Sequence, residues 1–109
     1  MTYQDIATMI AGIGLPNAYY VFPKDTEQAP PFICFYFPGS DDLMADNTNY
    51  AKIRPLIIEL YTANKDFATE ATVEAALNAN GLAYSRTEIY LSGEQMYLIT
   101  YNTEVLING

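Results

Sequence analysis

The alternation of apolar and polar positions is clearest over residues 53–62, where it predicts a β-strand. Side chains alternate between the two faces of a strand, so Leu56, Ile58 and Leu60 are expected to share one face. The opposite face carries a charge and a phenol and is therefore expected to be only half buried. It consists of Ile57, Glu59 and Tyr61.

A helix is predicted directly after this strand. Asp66 stands where an N-cap is needed, because its carboxylate can accept hydrogen bonds from the free amides of the first helical turn. Gly81 is placed to end the helix, as glycine commonly does just past a helix C-terminus. Val73, Ala76 and Leu77 form a narrow apolar face at helical spacing.

Small residues form a second stripe on a different side of this helix. The stripe consists of Ala68, Ala71, Ala75 and Ala79. Alanine is favoured in a helix without any tertiary contact, so a solvated face is the first interpretation. The alternative, which the sequence leaves open, is a close contact with a neighbouring helix or chain.

A first helix is predicted near the N-terminus, over residues 3–13. Its apolar positions recur at helical spacing and are Ile6, Met9, Ile10 and Ile13. Thr2 is the expected N-cap, and Gly12 and Gly14 are expected to end the helix.

Four further strands are predicted, over residues 18–22, 32–37, 82–91 and 95–107. The second of them is apolar at every position, as expected of a strand that is covered on both faces. The third carries Arg86 and Glu88, which are expected to point outward. A hairpin turn at residues 92–94 should join it to the last strand.

The predicted order is helix, three strands, helix and two strands, in a single domain spanning residues 1–109. Short strands joined by short turns favour an α+β fold, with one mixed or antiparallel sheet of about five strands flanked by both helices. Segments 32–37 and 56–61 should be neighbours in that sheet. The residues expected in its core are Ile58, Leu60, Val73, Leu77 and Ile99.

Composition is that of a globular protein, because half of the 109 residues are hydrophobic and 17% are charged. The ten tyrosines combine a large ring with a hydroxyl that can stay hydrated, which suits subunit interfaces. The formal net charge of −8 repels phosphates and argues against sequence-independent nucleic-acid binding. No membrane-spanning apolar run and no signal peptide are visible, so the expected location is the cytoplasm or an assembly formed there.

Nothing in the sequence supports catalysis, a cofactor or a metal site. There is no histidine, and the single cysteine, Cys34, lies in an apolar strand where a buried, inert thiol is expected. A thiol–imidazole pair and a Cys/His zinc site are therefore excluded. Segment 38–49 carries Asp41, Asp42 and Asp46, but it lacks the alternating oxygen ligands, the central glycine and the closing glutamate of a calcium loop. A long, solvated acidic loop is the expected structure.

Four short patterns, taken together, resemble a known group of proteins. They are Gly14-Leu15-Pro16-Asn17-Ala18-Tyr19 with Phe22-Pro23, Pro30-Pro31-Phe32, Ala45-Asp46-Asn47 with Tyr50, and Glu59-Leu60-Tyr61-Thr62 with Lys65-Asp66. In this order and spacing, the chain resembles small siphophage and prophage proteins from the head–tail connection genes. Such proteins are described as minor capsid, head–tail joining or tail completion (tail terminator) proteins. The resemblance covers nearly the whole chain and implies an α+β fold with a mixed sheet flanked by two helices.

The resemblance also implies a structural function without catalytic residues. Tail terminators of this fold, such as that of phage lambda, act as hexameric rings that cap the tail tube and form the surface that meets the head. The implied partners are further copies of this chain, tail tube proteins and head connector proteins, with DNA passing through the ring and no membrane involved. The implied location is the virion and, during assembly, the cytoplasm of the host bacterium.

The predicted contact surface lies in the acidic segment 38–49, which is also expected to be the most mobile internal segment. Two adjacent apolar residues in an acidic loop would be costly to leave in water, so we expect both to be buried against a neighbouring subunit or the tail tube. The candidate interface residues are Asp41, Asp42, Leu43, Met44, Asp46 and Asn47. For Asp46 and Asn47, a loop that caps its own backbone is the alternative.

Two other classes of function remain open at this point. One is a small acidic protein-binding module of a prophage or bacterium without catalytic activity, monomeric or dimeric. The other is an enzyme that uses carboxylates as acid and base, which the missing histidine disfavours. Portal, capsid and tail tube genes beside this gene would favour the virion protein over both.

Overall fold

The computed structural model describes residues 1–24, 27–40, 43–45 and 48–108. The helices and strands of this part of the chain follow one another in the predicted order, with one short additional strand. The elements are α1 (Tyr3–Gly12), β1 (Asn17–Tyr19), β2 (Phe32–Tyr36), β3 (Leu43–Ala45), β4 (Thr48–Thr62), α2 (Phe67–Ala79), β5 (Tyr84–Leu91) and β6 (Met96–Ile107).

Five of these strands form one mixed sheet in the order β1-β2-β4-β6-β5, and β3 pairs with the beginning of β4. β1 runs parallel to β2, and the other neighbouring strands in the described chain are antiparallel. The longest ladder joins residues 52–62 of β4 to β6. The predicted α+β class, the five-stranded sheet and the adjacency of segments 32–37 and 56–61 are thereby confirmed.

The hydrophobic core lies between one face of the sheet and the two helices. Ile33, Leu60 and Ile99 lie side by side across β2, β4 and β6. The apolar side chains of the helices belong to the same core and are Ile6, Met9, Ile10, Val73 and Leu77. All five predicted core residues have no exposed surface. Burying a side chain of this size contributes about 1.5–3 kcal/mol, so this face holds the fold together.

The helix ends follow the sequence prediction closely. Thr2 and Asp5 form a reciprocal capping box at the start of α1, in which each side chain accepts a hydrogen bond from the other residue's backbone N–H. At the start of α2, the Thr69 backbone N–H donates to the Asp66 carboxylate at 3.0 Å. Gly81 follows α2 with φ of +69°, a left-handed conformation that suits glycine at a helix C-terminus.

The strands on the β1 side of the sheet differ from the prediction. Of the predicted strand 18–22, only Ala18 and Tyr19 pair with β2, because Tyr20 adopts a φ of +68° that turns the chain out of the ladder. The apolar run 32–37 is not enclosed between two layers of structure: the helices cover one face, and Phe32 and Tyr36 remain half-buried. Aromatic side chains from neighbouring segments shield the other face instead.

The predicted loop 38–49 is also partly wrong. β3 (Leu43–Ala45) and the first residues of β4 pair as an antiparallel hairpin, and β4 begins at Thr48 rather than at residue 53. Backbone pairing within a hairpin needs no buried apolar face, which explains why the polar sequence gave no strand pattern. Since the β4–β6 ladder ends at Lys52, this hairpin extends beyond it. The mobility prediction rests partly on positions outside the described residues and stays a prediction.

Candidate interaction surface

The sheet has one face without helices, which we call the open face. Its residues alternate along the strands with the core residues, and the paired registers bring them side by side. The central members are Ile57, Glu59, Tyr61, Ile89, Leu98, Thr100, Asn102 and Leu106. Ile89 and Leu106 expose 54% and 60% of their surface. Apolar side chains on a solvated sheet face make this surface a candidate for protein contact.

The β1 side of the open face is covered by aromatic rings. Tyr20 stacks on Tyr36 with ring centroids 4.3 Å apart, and Phe32 stacks on Tyr61 at 4.7 Å. Phe22 meets Phe32 edge to face at 5.4 Å. Rigid rings of this kind offer a large contact area at a low cost in side-chain entropy, as in many protein interfaces.

Glu59 lies half-buried among these rings. The Tyr61 hydroxyl donates a hydrogen bond to its carboxylate at 3.1 Å. Burial, and then the charge of Glu59, raises the pKa of Tyr61 well above its ordinary value. Burial, again followed by Glu59, raises the pKa of the Cys34 thiol, which is 5% exposed. Both groups therefore stay protonated near neutral pH, which disfavours Cys34 as a nucleophile and fits the predicted buried thiol.

A charged cluster lies on the helix-bearing side, between α2 and β5. Glu70, only 3% exposed, accepts hydrogen bonds from Lys65 and Arg86 at 2.5 Å each. Lys65 also pairs with Glu88, and Arg86 lies 3.7 Å from Glu74. As predicted, Arg86 and Glu88 are exposed, with 37% and 36% of their side chains accessible, although their charged groups also pair with residues of this cluster. The alternation of β5 correctly assigned Arg86 and Glu88 to the same face of the strand, and that face lies toward the acidic residues of α2.

This cluster includes tyrosine hydroxyls as well as charges. Tyr101 donates to Glu74 at 2.8 Å and Tyr84 donates to the same carboxylate at 3.2 Å. Burial and the Glu74 hydrogen bond raise the pKa of Tyr101. Burial acts against the charge of Lys65, but the hydrogen bonds to Glu70 and Glu88 raise its pKa overall. The cluster therefore positions α2 on the sheet by satisfied polar contacts.

A groove of about 620 Å³ opens beside α1 on the helix-bearing side. Its wall includes Tyr3, Tyr19 and Phe37, with the Tyr3 and Phe37 rings edge to face at 5.0 Å. Arg54 donates from Nε to the Tyr3 hydroxyl at 3.2 Å, which fixes both side chains at one end of the groove. The pattern of the sequence did not indicate this groove, because its residues come from α1, β1, β2, the segment directly after β2, and β4.

The six interface residues predicted from the sequence belong to segment 38–49 and are not among the residues of the open face named above. Asp41, Asp42, Asp46 and Asn47 are outside the described residues. Leu43 and Met44 belong to β3 by their backbone. The proposed contacts of all six stay a prediction. The open face itself was indicated by the half-polar side of the predicted central strand, and its residues Ile57, Glu59 and Tyr61 are half-buried as expected.

Neither a metal centre nor a membrane span is apparent in the described ranges. Within residues 1–24, 27–40, 43–45 and 48–108, no three cysteine, aspartate or glutamate side chains cluster in a way that could hold a metal ion. The helices in the same ranges are too short or too polar to cross a membrane.

The four residues of the alanine stripe on α2 are exposed.

Comparison with solved structures finds a similar fold in a chain of a gene transfer agent virion. No protein-family model matches the sequence, and no curated protein is significantly similar to it. One similar chain comes from a structure titled "Virion of native gene transfer agent (GTA) particle". The TM-score is 0.65 at 16% sequence identity, and the match covers 98% of this chain and 89% of the other. The two chains therefore share the α+β fold over almost their full lengths.

Proposed function

We propose that this chain is a structural protein of a phage or prophage virion and acts at the head–tail connection. In this role it forms one subunit of a ring that caps the tail tube, and it presents the surface that meets the head. The assigned partners are further copies of the chain, the tail tube and the head connector. The role requires no catalysis and no cofactor.

The observation that carries this proposal is the fold match to a chain of a gene transfer agent virion. The match spans nearly all of both chains, so it concerns the whole arrangement of helices and strands and not a common substructure such as one helix and two strands. A fold can host several functions, and the proposal therefore also draws on the surface of this chain. The sequence patterns that resemble head–tail connection proteins point to the same class.

The open face supports an assembly role. It combines exposed apolar side chains, including Ile89 and Leu106, with the half-buried Glu59 and a set of stacked aromatic rings. Such a mixture matches subunit interfaces, where aromatic residues are enriched and a polar rim remains hydrated. A catalytic pocket would instead be expected to gather titratable groups with pKa values near neutrality.

The charge of the chain supports the same role. A formal net charge of −8 per subunit gives a ring a strongly negative field, which keeps DNA phosphates from binding to its inner wall. The hairpin of β3 and β4 extends beyond the β4–β6 ladder, which supports a contact with a neighbouring subunit or the tail tube. We assign Leu43 and Met44 of this hairpin, with its acidic residues, to that contact.

The proposal is tested by particle assembly in the phage or prophage that carries the gene. A deletion should yield separate heads and tails of abnormal length in electron micrographs, and the wild-type gene should restore joined particles. The variant Leu43→Ser/Met44→Ser should change the free energy of unfolding of the monomer by less than about 0.5 kcal/mol, as is usual for surface positions. It should nevertheless fail to restore joined particles.

A matched control is Ala71→Ser/Ala75→Ser on the exposed stripe of α2, which should assemble normally. Normal joined particles in the deletion strain would refute the virion function. Normal particles from the Leu43→Ser/Met44→Ser variant would refute only the hairpin contact, and failure of the alanine variant would move the contact to α2. Unfolding of the hairpin variant would place Leu43 and Met44 in the core of the monomer.

A further inference from the structure

We infer that the outer edge of β5 binds the same edge of a second copy of this chain, in an antiparallel pair centred on Thr87. β5 is the last strand of the sheet, and no strand in the described part of the chain pairs with its outer side. Every second residue of such a strand directs its N–H and C=O groups away from the sheet. Four of the eight residues of β5 therefore present outward backbone groups for pairing.

This edge lacks the features that usually prevent pairing. β5 has no proline or glycine, and its register with β6 is regular from Tyr84 to Leu91. Its two charged residues are balanced by ion pairs within the subunit, Glu88 with Lys65 and Arg86 with Glu70, yet Arg86 and Glu88 still expose 37% and 36% of their side chains. The opposite edge is different, because β1 has three residues and the chain leaves it at Tyr20, where φ is +68°.

The sequence of β5 is complementary to itself when it is reversed about Thr87. In that register, Arg86 lies opposite Glu88 of the second copy, and Tyr84 lies opposite Tyr90. Opposite charges and aromatic pairs stabilise directly facing positions of antiparallel strands. The two-fold axis repeats each of these pairs, so the dimer contains two Arg86–Glu88 pairs and two Tyr84–Tyr90 pairs. If one copy is shifted along the other by two residues, both kinds of pair are lost. This charge complementarity identifies a second copy as the occupant.

Exposed apolar side chains border the same edge. Ile89 and Tyr90 are 54% and 52% exposed, and Phe67 at the start of α2 is 72% exposed. Lys65 binds Glu88 and also lies 4.6 Å from the centre of the Phe67 ring, which places Phe67 beside the middle of β5. Pairing about Thr87 would join two five-stranded sheets into one, with the helices of both copies on the same side. The dimer is closed, since both copies use the same edge and each uses it once.

The inference concerns the free subunit and does not rest on the proposed virion function. Disulfide trapping tests its register directly. The two copies of residue 87 face each other at the two-fold axis. Their Cα atoms are about 5.5 Å apart if the pair is hydrogen-bonded and about 4.5 Å apart if it is not, and a disulfide can span either distance. Thr87→Cys should therefore form a covalent dimer under oxidised glutathione. Ser85→Cys is the matched control on the same strand and face, since in this register its two copies lie about 14 Å apart.

We expect Thr87→Cys to cross-link at least about tenfold faster than Ser85→Cys on non-reducing gels, with both variants melting like the wild type. The native Cys34 is 5% exposed, so the wild type should not cross-link. Light scattering of the reduced wild type should give twice the 12.2 kDa chain mass at about 100 µM. Equal cross-linking of both variants, a single-chain mass at that concentration or a complex larger than two copies would each overturn the inference.

Discussion

Replacing Leu60 with alanine tests the arrangement of the core most directly. Leu60 has no exposed surface and lies between Ile33 of β2 and Ile99 of β6 in the paired register. The removed carbon atoms forfeit about 2.4 kcal/mol of transfer free energy, at about 0.8 kcal/mol for each of the three. β4 is hydrogen-bonded on both sides at this position, so it cannot move inward to fill the space.

The unfilled space adds a second cost. A residual cavity of roughly 50 Å³ costs about 1.2 kcal/mol, at about 24 cal/mol per Å³, and brings the expected loss to about 3.5 kcal/mol. Domains of this size have a total stability of about 5–15 kcal/mol, so the variant should remain folded but lose much of its margin. The loss should exceed 2 kcal/mol and stay below about 5 kcal/mol, the range known for buried leucines.

Equilibrium urea unfolding followed by circular dichroism measures this loss, provided that the slope with denaturant is unchanged. Leu106→Ala is the matched control, because Leu106 lies on the neighbouring strand but is 60% exposed on the open face. Its substitution should change the free energy of unfolding by less than about 0.5 kcal/mol. A loss below half a kcal/mol for Leu60→Ala, or equal losses for the two variants, would show that the assigned inner face is wrong.

Three further substitutions probe the polar and backbone features. Glu70→Gln should lower the free energy of unfolding in urea by about 1.5–3 kcal/mol, because Arg86 loses a charged partner, and an effect below 0.5 kcal/mol would contradict a structural role. Hydrogen bonds from Thr69 lower the pKa of Asp66, so its charge stabilises the fold above the ordinary pKa near 4 and this contribution is lost as pH falls through the lowered value. Asp66→Asn should therefore melt below the wild type at pH 7 by a margin that shrinks toward pH 2, and a constant margin would contradict this assignment. Gly81→Ala should cost about 1–2 kcal/mol in the same urea assay because of its φ of +69°, and an unchanged stability would show that the helix end relaxes.

The sequence was sufficient to predict the parts of the fold that depend on local patterns. Alternation placed Ile58 and Leu60 inside, and the capping chemistry of Thr2 and Asp66 and the position of Gly81 marked where the helices begin and end. These signals act within a few residues and need no knowledge of the neighbouring strands. They were therefore available before the order of the strands was known.

The features that escaped prediction depend on contacts between distant segments. Arg86 belongs to a strand whose pattern resembles a solvated edge, and only the position of α2 brings Glu70 to it. The β3 hairpin is formed by backbone pairing in a polar segment, for which side-chain alternation gives no signal. The open face was partly foreseen from Glu59 and Tyr61, but its extent depends on which strands flank β4 and β6.

The position of β4 and β6 inside the sheet also determines how the protein opens. Each of these strands has a hydrogen-bonded neighbour on both sides, whereas β1 and β5 have one neighbour each in the described chain. Amide protons in the doubly paired segments, residues 57–61 of β4 and 97–103 of β6, are therefore expected to exchange with solvent only when the core unfolds, while those of the outer strands exchange through smaller openings. The domain can thus release either outer strand to a partner and keep its central two-stranded ladder and core intact.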